Sequence, residues 1–195
     1  SHLGGIAFDG ENVWICHSNS NTLERISYEY ITKIAQDAPE YCIDASALSD
    51  EYRLKNTPSC ITCYGGRLWV ATHTSFFDSE MYSYSYDKKE DKLTAVSNYN
   101  LPSKVQGVAF DDNGSIYLST SYGRNNSSYL KVYSSLLSLD KKPNEPKVKV
   151  EMPPCSEEVA IADGTVFVLF ESASAKYFEG TDGMGKSPAP IDKLL

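Results

Sequence analysis

The residue types able to do chemistry in this chain are few and scattered. His17 stands in Cys16-His17-Ser18-Asn19 and His73 in Thr72-His73-Thr74. An imidazole there can move a proton near neutral pH, ligate a metal, or bond a neighbouring backbone carbonyl. Glu157-Glu158 is a carboxylate pair, which can hold a divalent cation, accept a proton or face solvent. Arg124 follows Tyr122-Gly123 and can clamp a carboxylate or phosphate, or brace a loop against an acid. Glu171 ends the apolar run Val166-Phe167-Val168-Leu169-Phe170, so its charge must emerge into water or meet a partner. No nucleophile elbow, P-loop, His-Glu-x-x-His or EF-hand loop occurs in the sequence. Any chemistry therefore depends on a fold that brings distant residues together.

The elements that would do so repeat along the chain. Gly5-Ile6-Ala7-Phe8-Asp9-Gly10 leads into Asn12-Val13-Trp14-Ile15, and Cys60-Ile61-Thr62-Cys63-Tyr64-Gly65-Gly66 leads into Leu68-Trp69-Val70-Ala71. Gly107-Val108-Ala109-Phe110-Asp111 leads, through Asn113-Gly114, into Ile116-Tyr117-Leu118, and Val159-Ala160-Ile161-Ala162-Asp163-Gly164 into Val166-Phe167-Val168. Asp-Gly, Asn-Gly or Gly-Gly between two β-branched or aromatic runs marks a hairpin. The aromatic anchors Trp14, Trp69, Tyr117 and Phe167 lie 55, 48 and 50 residues apart. A period of roughly 50 residues with about four strands is that of a propeller blade.

Third strands are expected at Thr22–Ser27, Met81–Tyr86 and Tyr129–Tyr133, and fourth strands at Lys92–Val96 and Lys147–Glu151. These alternate polar with apolar residues, whereas the inner runs are nearly continuous and predict burial on both faces. Asp44-Ala45-Ser46, followed by Leu48 and Tyr52, predicts a capped helical turn over residues 46–54. The expectation is one all-β propeller domain over residues 1–195, with blade repeats near 4–58, 59–105, 106–156 and 157–195. Ile191-Asp192-Lys193-Leu194-Leu195 resembles a third strand with no fourth after it, so the last blade is expected to be incomplete and the chain a piece of a larger propeller. A four-bladed closure is the alternative.

Composition sets the limits. The chain has 195 residues, 18 basic against 26 acidic side chains, a net charge of -8, and 41% apolar residues. That acidity argues against a nucleic-acid or anionic-membrane partner, because phosphate binding needs clustered Lys and Arg. No apolar run approaches the ~20 residues of a membrane span, so no membrane insertion is expected. With 14 Tyr, 7 Phe and 2 Trp the chain is too aromatic for disorder. Cys16, Cys42, Cys60, Cys63 and Cys155 are expected as buried thiols, since Cys60 and Cys63 point to opposite faces of a strand and make a poor redox or zinc motif.

The line from Gly5 to Ile15, with Ser20-Asn21-Thr22-Leu23 close behind, resembles the blade repeat of the streptogramin-lyase-like, gluconolactonase-like (SMP-30) and NHL-like β-propellers. A Trp-Asp repeat is disfavoured because no Trp-Asp dipeptide closes a unit, and a kelch repeat because only Gly65-Gly66 falls near the required place. The resemblance implies that first-strand starts and second-strand ends meet at one mouth of a central channel. That mouth would gather His17, His73, Gln106, Tyr122, Arg124, Glu157, Glu158 and Glu171. It implies a divalent cation as a possible cofactor, with Glu157 or Glu158 as metal candidates; the other starts supply Gly, Ser, Cys and Gln and do not match the lactonase ligand set. His17, His73 and Glu171 are the catalytic candidates, and Gln106, Tyr122, Arg124, Glu157 and Glu158 the ligand-binding ones. The segment from Lys176 to Pro190 would be a lid over this mouth or a plain surface loop.

Two functions follow. One is a binding module for a small molecule, a glycan or a protein segment. The other is a metal-assisted hydrolase or lyase at the same rim. Acidity and the resemblance lean towards an extracellular or cell-surface location, with the cytoplasm left open.

Overall fold

The computed structural model describes residues 3–37 and 49–171. Four antiparallel sheets carry the chain in sequence order. The first sheet is β1 (Leu3–Phe8), β2 (Asn12–His17), β3 (Thr22–Ser27) and β4 (Asp50–Arg53). The second is β5 (Cys60–Tyr64), β6 (Arg67–Ala71), β7 (Ser79–Asp87) and β8 (Lys92–Leu101). The third is β9 (Val105–Phe110), β10 (Ile116–Thr120), β11 (Ser128–Tyr133) and β12 (Val148–Met152); the fourth pairs β13 (Ser156–Ala162) with β14 (Thr165–Phe170). Helix α1 (Tyr28–Asp37) follows β3, and the short α2 (Leu136–Lys141) follows β11.

The chain divides into two compact units. The first spans Ser1–Thr72 and Met81–Asn98, the second His73–Glu80 and Tyr99–Leu195. In the first, Trp14, Cys16, Leu23, Tyr52, Ile61, Leu68, Val70 and Tyr84 form the core. In the second, Val105, Val108, Ile116, Leu118, Tyr133, Leu139, Val159 and Phe170 are buried.

Turn chemistry explains the hairpins. Gly65-Gly66 and Asp163-Gly164 are two-residue loops with φ of 57° and 70°, and of 49° and 74°. Positive φ at both positions matches the twist of the flanking strands. The other two inner hairpins are longer and are organised by an aspartate. Asp9 Oδ1 accepts the N–H groups of Glu11 and Asn12, and Oδ2 accepts Trp14 Nε1 at 2.7 Å. Asp111 does the same with Asn113, Ser115 and the Tyr117 hydroxyl. Trp69 likewise donates Nε1 to Tyr64 O. The aromatic anchor of these three repeats thus ties its strand back to its own turn.

Two expectations need correction. Residues 50–54 contain no helix: Asp50–Arg53 is strand β4, paired with β3 from Thr22↔Arg53 to Arg25↔Asp50. Tertiary pairing overrides local propensity there, because only Tyr52 turns inward, where its ring packs 5.6 Å from Trp14 and 5.7 Å from Tyr86. Residues 46–48, like Cys42 and the segments 176–190 and 191–195, lie outside the described residues. The helix is α1 instead, entered through the bond from Tyr28 N to Glu11 O and held by the Phe8–Tyr28 ring contact. Finally, burial on both faces holds for most of β6, β9 and β10 but not for β1 or β14. Leu3, Ile6 and Phe8 on β1 are exposed, as are Phe167, one of the anchors, and Leu169 on β14.

Two first strands pack closely in each unit, and glycine permits it. A Cβ on Gly4 would lie 2.7 Å from Ser59 O, and one on Gly5 3.0 Å from Cys60 Cα, so β1 lies tight on β5. In the second unit a Cβ on Gly107 of β9 would lie 2.7 Å from Val159 N and 2.8 Å from Glu157 O of β13. Bulges fall at the same starts: Leu3/Ile6 in β1, Gln106 in β9, and Ser156/Val159 in β13. Each adds a residue to one strand and re-aims its side chains. Replacing Gly107 by Ala is therefore expected to destabilise the chain by about 1–3 kcal/mol, the usual cost of overpacking. Urea denaturation of Gly107→Ala checks this, and an unchanged midpoint would mean that β13 does not press on β9.

Candidate functional site

The bulge at the start of β13 carries Glu157 and Glu158. Glu158 turns towards β9, where its Oε1 accepts the N–H groups of Val108 at 3.2 Å and of its neighbour Val159 at 3.0 Å. Its Oε2 is buried and has no hydrogen-bond partner among the described residues. Burial pushes the Glu158 carboxyl up to about 8; the charge of Glu157 adds to this, while the two backbone donors pull the other way. Burial also pushes Glu157 up to about 7, helped by the nearby charge of Glu171. Near neutral pH this pair holds protons that ordinary carboxyls have lost, so it can donate hydrogen bonds as well as accept them.

Beside it runs a chain of buried hydroxyls. Ser119 Oγ meets Ser156 Oγ at 2.7 Å, Ser156 N donates to Ser128 Oγ, and Ser128 Oγ donates to Ser121 Oγ. The end of β10 is thereby locked to β11 and to the start of β13. All four serines are buried, and such groups are stable there because they satisfy one another.

The other expected site residues fall in several places. His73 places Nδ1 3.1 Å from Val105 O, the backbone-carbonyl arrangement weighed for it. Gln106 is the bulged residue next to it and is half-buried. Tyr122 and Arg124 are exposed beyond β10, with Asn126 Nδ2 bonded to Tyr122 O. Glu171 is exposed, and its N–H donates to Cys155 O. In the first unit His17 Nε2 lies 2.5 Å from Glu24 Oε2, both side chains about 15% exposed. The structure thus places Glu157 within electrostatic reach of both Glu158 and Glu171. Tyr122 belongs to a different pocket, whose lining holds neither Glu157 nor Glu158.

Among the described residues no three His, Cys, Asp or Glu side chains are grouped to hold a metal ion. Among the described residues, Glu157 and Glu158 have no third His, Cys, Asp or Glu grouped with them. Cys16, Cys60 and Cys155 are buried thiols and Cys63 is half-buried. Cys63 borders a cleft of about 450 Å³ at the hairpin-turn end of the first unit, beside Asp9 and Arg67. Burial, aided by the Asp9 charge, pushes its thiol up to about 12, which leaves it neutral and poorly nucleophilic. Sequence reasoning missed the lysines of the Tyr122 pocket, Lys104, Lys131 and Lys149, because their meeting depends on strand register.

No protein-family model matches this sequence, and no curated protein matches it. Several solved structures are similar to it. Glutaminyl cyclase of Myxococcus xanthus superimposes with a TM-score of 0.55 at 15% identity, over 86% of this chain and 61% of that one. The nidogen/laminin complex gives 0.48 at 12% identity, over 89% and 57%, and the hydrazine synthase of Kuenenia stuttgartiensis gives 0.48 at 11%, over 82% and 40%. This chain spans less than two thirds of each. The first of these likenesses supports a propeller-like, all-β architecture.

The carboxyl pair has a consequence for stability. Glu158 keeps its proton in the folded chain up to about pH 8 but loses it near 4.5 when unfolded. The folded state therefore binds more protons across that window, so this contribution is full below about 4.5 and is lost as pH rises towards 8. Glu157 acts in the same sense up to about 7. Urea midpoints at pH 5, 6.5 and 8 should fall more steeply for the parent chain than for Glu158→Gln, by at most about 1.4 kcal/mol per pH unit for one proton. Parallel profiles would contradict the burial of this group.

Proposed function

We propose that this chain is a ligand-binding module of a β-propeller with blades of roughly 50 residues. Its blade repeat is of the streptogramin-lyase-like, gluconolactonase-like and NHL-like type. The exposed apolar rows on β1 and on β14 are the faces on which further blades would pack. The ligand is a small polar molecule, glycan or peptide segment, bound at the rim where β13 begins.

One observation carries this reading: the Glu158 carboxyl, whose buried Oε2 has no partner among the described residues, beside Glu157. An unsatisfied buried polar atom costs about 1–3 kcal/mol, and the equivalent starts Gly4-Gly5 and Cys60 avoid that cost with small residues. A neutral carboxyl offers a donor and an acceptor together, the pattern that a ligand hydroxyl or amide answers. The enzymatic alternative draws on a different observation, the His17–Glu24 couple of the first unit, in which a carboxylate orients an imidazole.

The test is amide NMR of the chain with mono- and oligosaccharides and with N-acetyl dipeptide amides. Saturable shifts are expected at the Val108 and Val159 N–H groups, which bond Glu158. Glu158→Gln and Glu157→Ala should each weaken that binding tenfold or more. Binding that ignores both substitutions, or no binding from either class of probe, would overturn the reading.

A further inference from the structure

We propose that the second unit carries a separate site, a lysine pocket that binds a phosphate or sulfate monoester borne by a small sugar. The pocket holds about 200 Å³ and is lined by Lys104, Lys131 and Lys149 with Tyr122 and Tyr129. Ser103 adds a hydroxyl to the same lining.

The lysines are placed against ordinary electrostatic preference. Lys131 on β11 stands directly opposite Lys149 on β12, and like charges facing each other across a ladder are destabilising. Lys131 is also half-buried, and burial with the charges of Lys149 and Lys104 holds its ammonium below the usual lysine range. No ion pair among the described residues involves any of the three. Two acids lie near without lining the pocket: Asp78, whose charge acts on Lys131, accepts from Asn144 Nδ2, and Glu151 accepts from the hydroxyl of the lining residue Ser127. In a chain of net charge -8, three cations converging without a carboxylate among them is an arrangement that a ligand explains.

Two further features hold the ammonium groups in position. Lys104 Nζ lies 5.1 Å from the centre of the Tyr122 ring and Lys149 Nζ 3.9 Å from that of Tyr129. Attraction to the ring faces orients them without neutralising them. Lys104 itself has φ of 70°, a backbone conformation disfavoured for a residue with a side chain. It is fixed there by bonds from its N–H to Thr74 O at 2.7 Å and from Ser121 N to its own carbonyl at 2.9 Å. Strain of this kind survives only where the surroundings enforce it, and it clusters at ligand clamps.

Three ammonium groups around a small volume suit a tetrahedral oxyanion. The exposed ring of Phe76 stands edge-on to Tyr122, their centres 5.6 Å apart, and gives the sugar an aromatic surface at the pocket edge. A nucleic-acid strand would instead need a basic groove continuing along its backbone.

Isothermal titration calorimetry of the whole chain at low salt, with D-glucose 6-phosphate, D-glucose 6-sulfate and D-glucose, tests this. One or both esters should bind and glucose should not; binding of a single ester supports the proposal and identifies the anion. Lys131→Met and Lys149→Met should each weaken ester binding at least tenfold while raising the urea midpoint, because the facing charges are relieved. Lys88→Met, in the first unit, should leave binding unchanged. The proposal is overturned if the esters bind no better than glucose, if both pocket variants bind like the parent chain, or if Lys88→Met loses as much.

Discussion

The missing side chain at the start of the first strand is the constraint on which most of this structure rests. In the first unit Gly4 and Gly5 let β1 lie on Ser59, Cys60 and Ile61; in the second Gly107 lets β9 take β13 at the same distance. Gly5 and Gly107 occupy the same place in their repeats. Bulges fall beside these close approaches, at Leu3/Ile6, at Gln106 and at Ser156/Val159. The bulge in β13 carries the Glu158 carboxyl to the Val108 N–H of β9. Packing thereby decides where the acid sits, and burial then decides its charge.

Ionisable groups meet two kinds of surroundings within the second unit. Glu157 and Glu158 respond to burial by holding their protons, and Glu158 keeps one oxygen without a partner among the described residues. Lys104 and Lys149 stay beside aromatic rings, which attract an ammonium without cancelling it. The serine chain at the end of β10 contrasts with both, since its hydroxyls satisfy one another and leave little for a ligand. Unanswered polarity on a rigid, hydrogen-bonded support is what a recognition site requires.

The strand framework was legible because turn chemistry and aromatic spacing act locally. Gly65-Gly66 and Asp163-Gly164 adopt the positive φ their types favour, and Trp14, Trp69 and Tyr117 bond their own turns five or six residues away. Strand β4 was misread because pairing with β3 and the burial of Tyr52 outweigh the local helical signal. Glu157-Glu158 stood out since the equivalent starts are uncharged, but the orphaned oxygen comes from a bulge no composition reveals. His73 Nδ1 meets the backbone carbonyl of Val105, a residue 32 positions away that composition does not pair with it. Lys131 and Lys149 fall within outer strands of alternating polarity, and only the register puts one opposite the other.

Packing of β13 on β9 keeps the Glu158 carboxyl protonated near neutral pH. Carbon-13 NMR of the Glu158 side-chain carboxyl, followed from pH 4 to 10 in the folded chain, reads that directly. The titration should centre near 8, with Glu157 changing near 7. A Glu158 midpoint at the ordinary 4.5 would mean that the group is solvated, and would contradict both the packing and the site built on it.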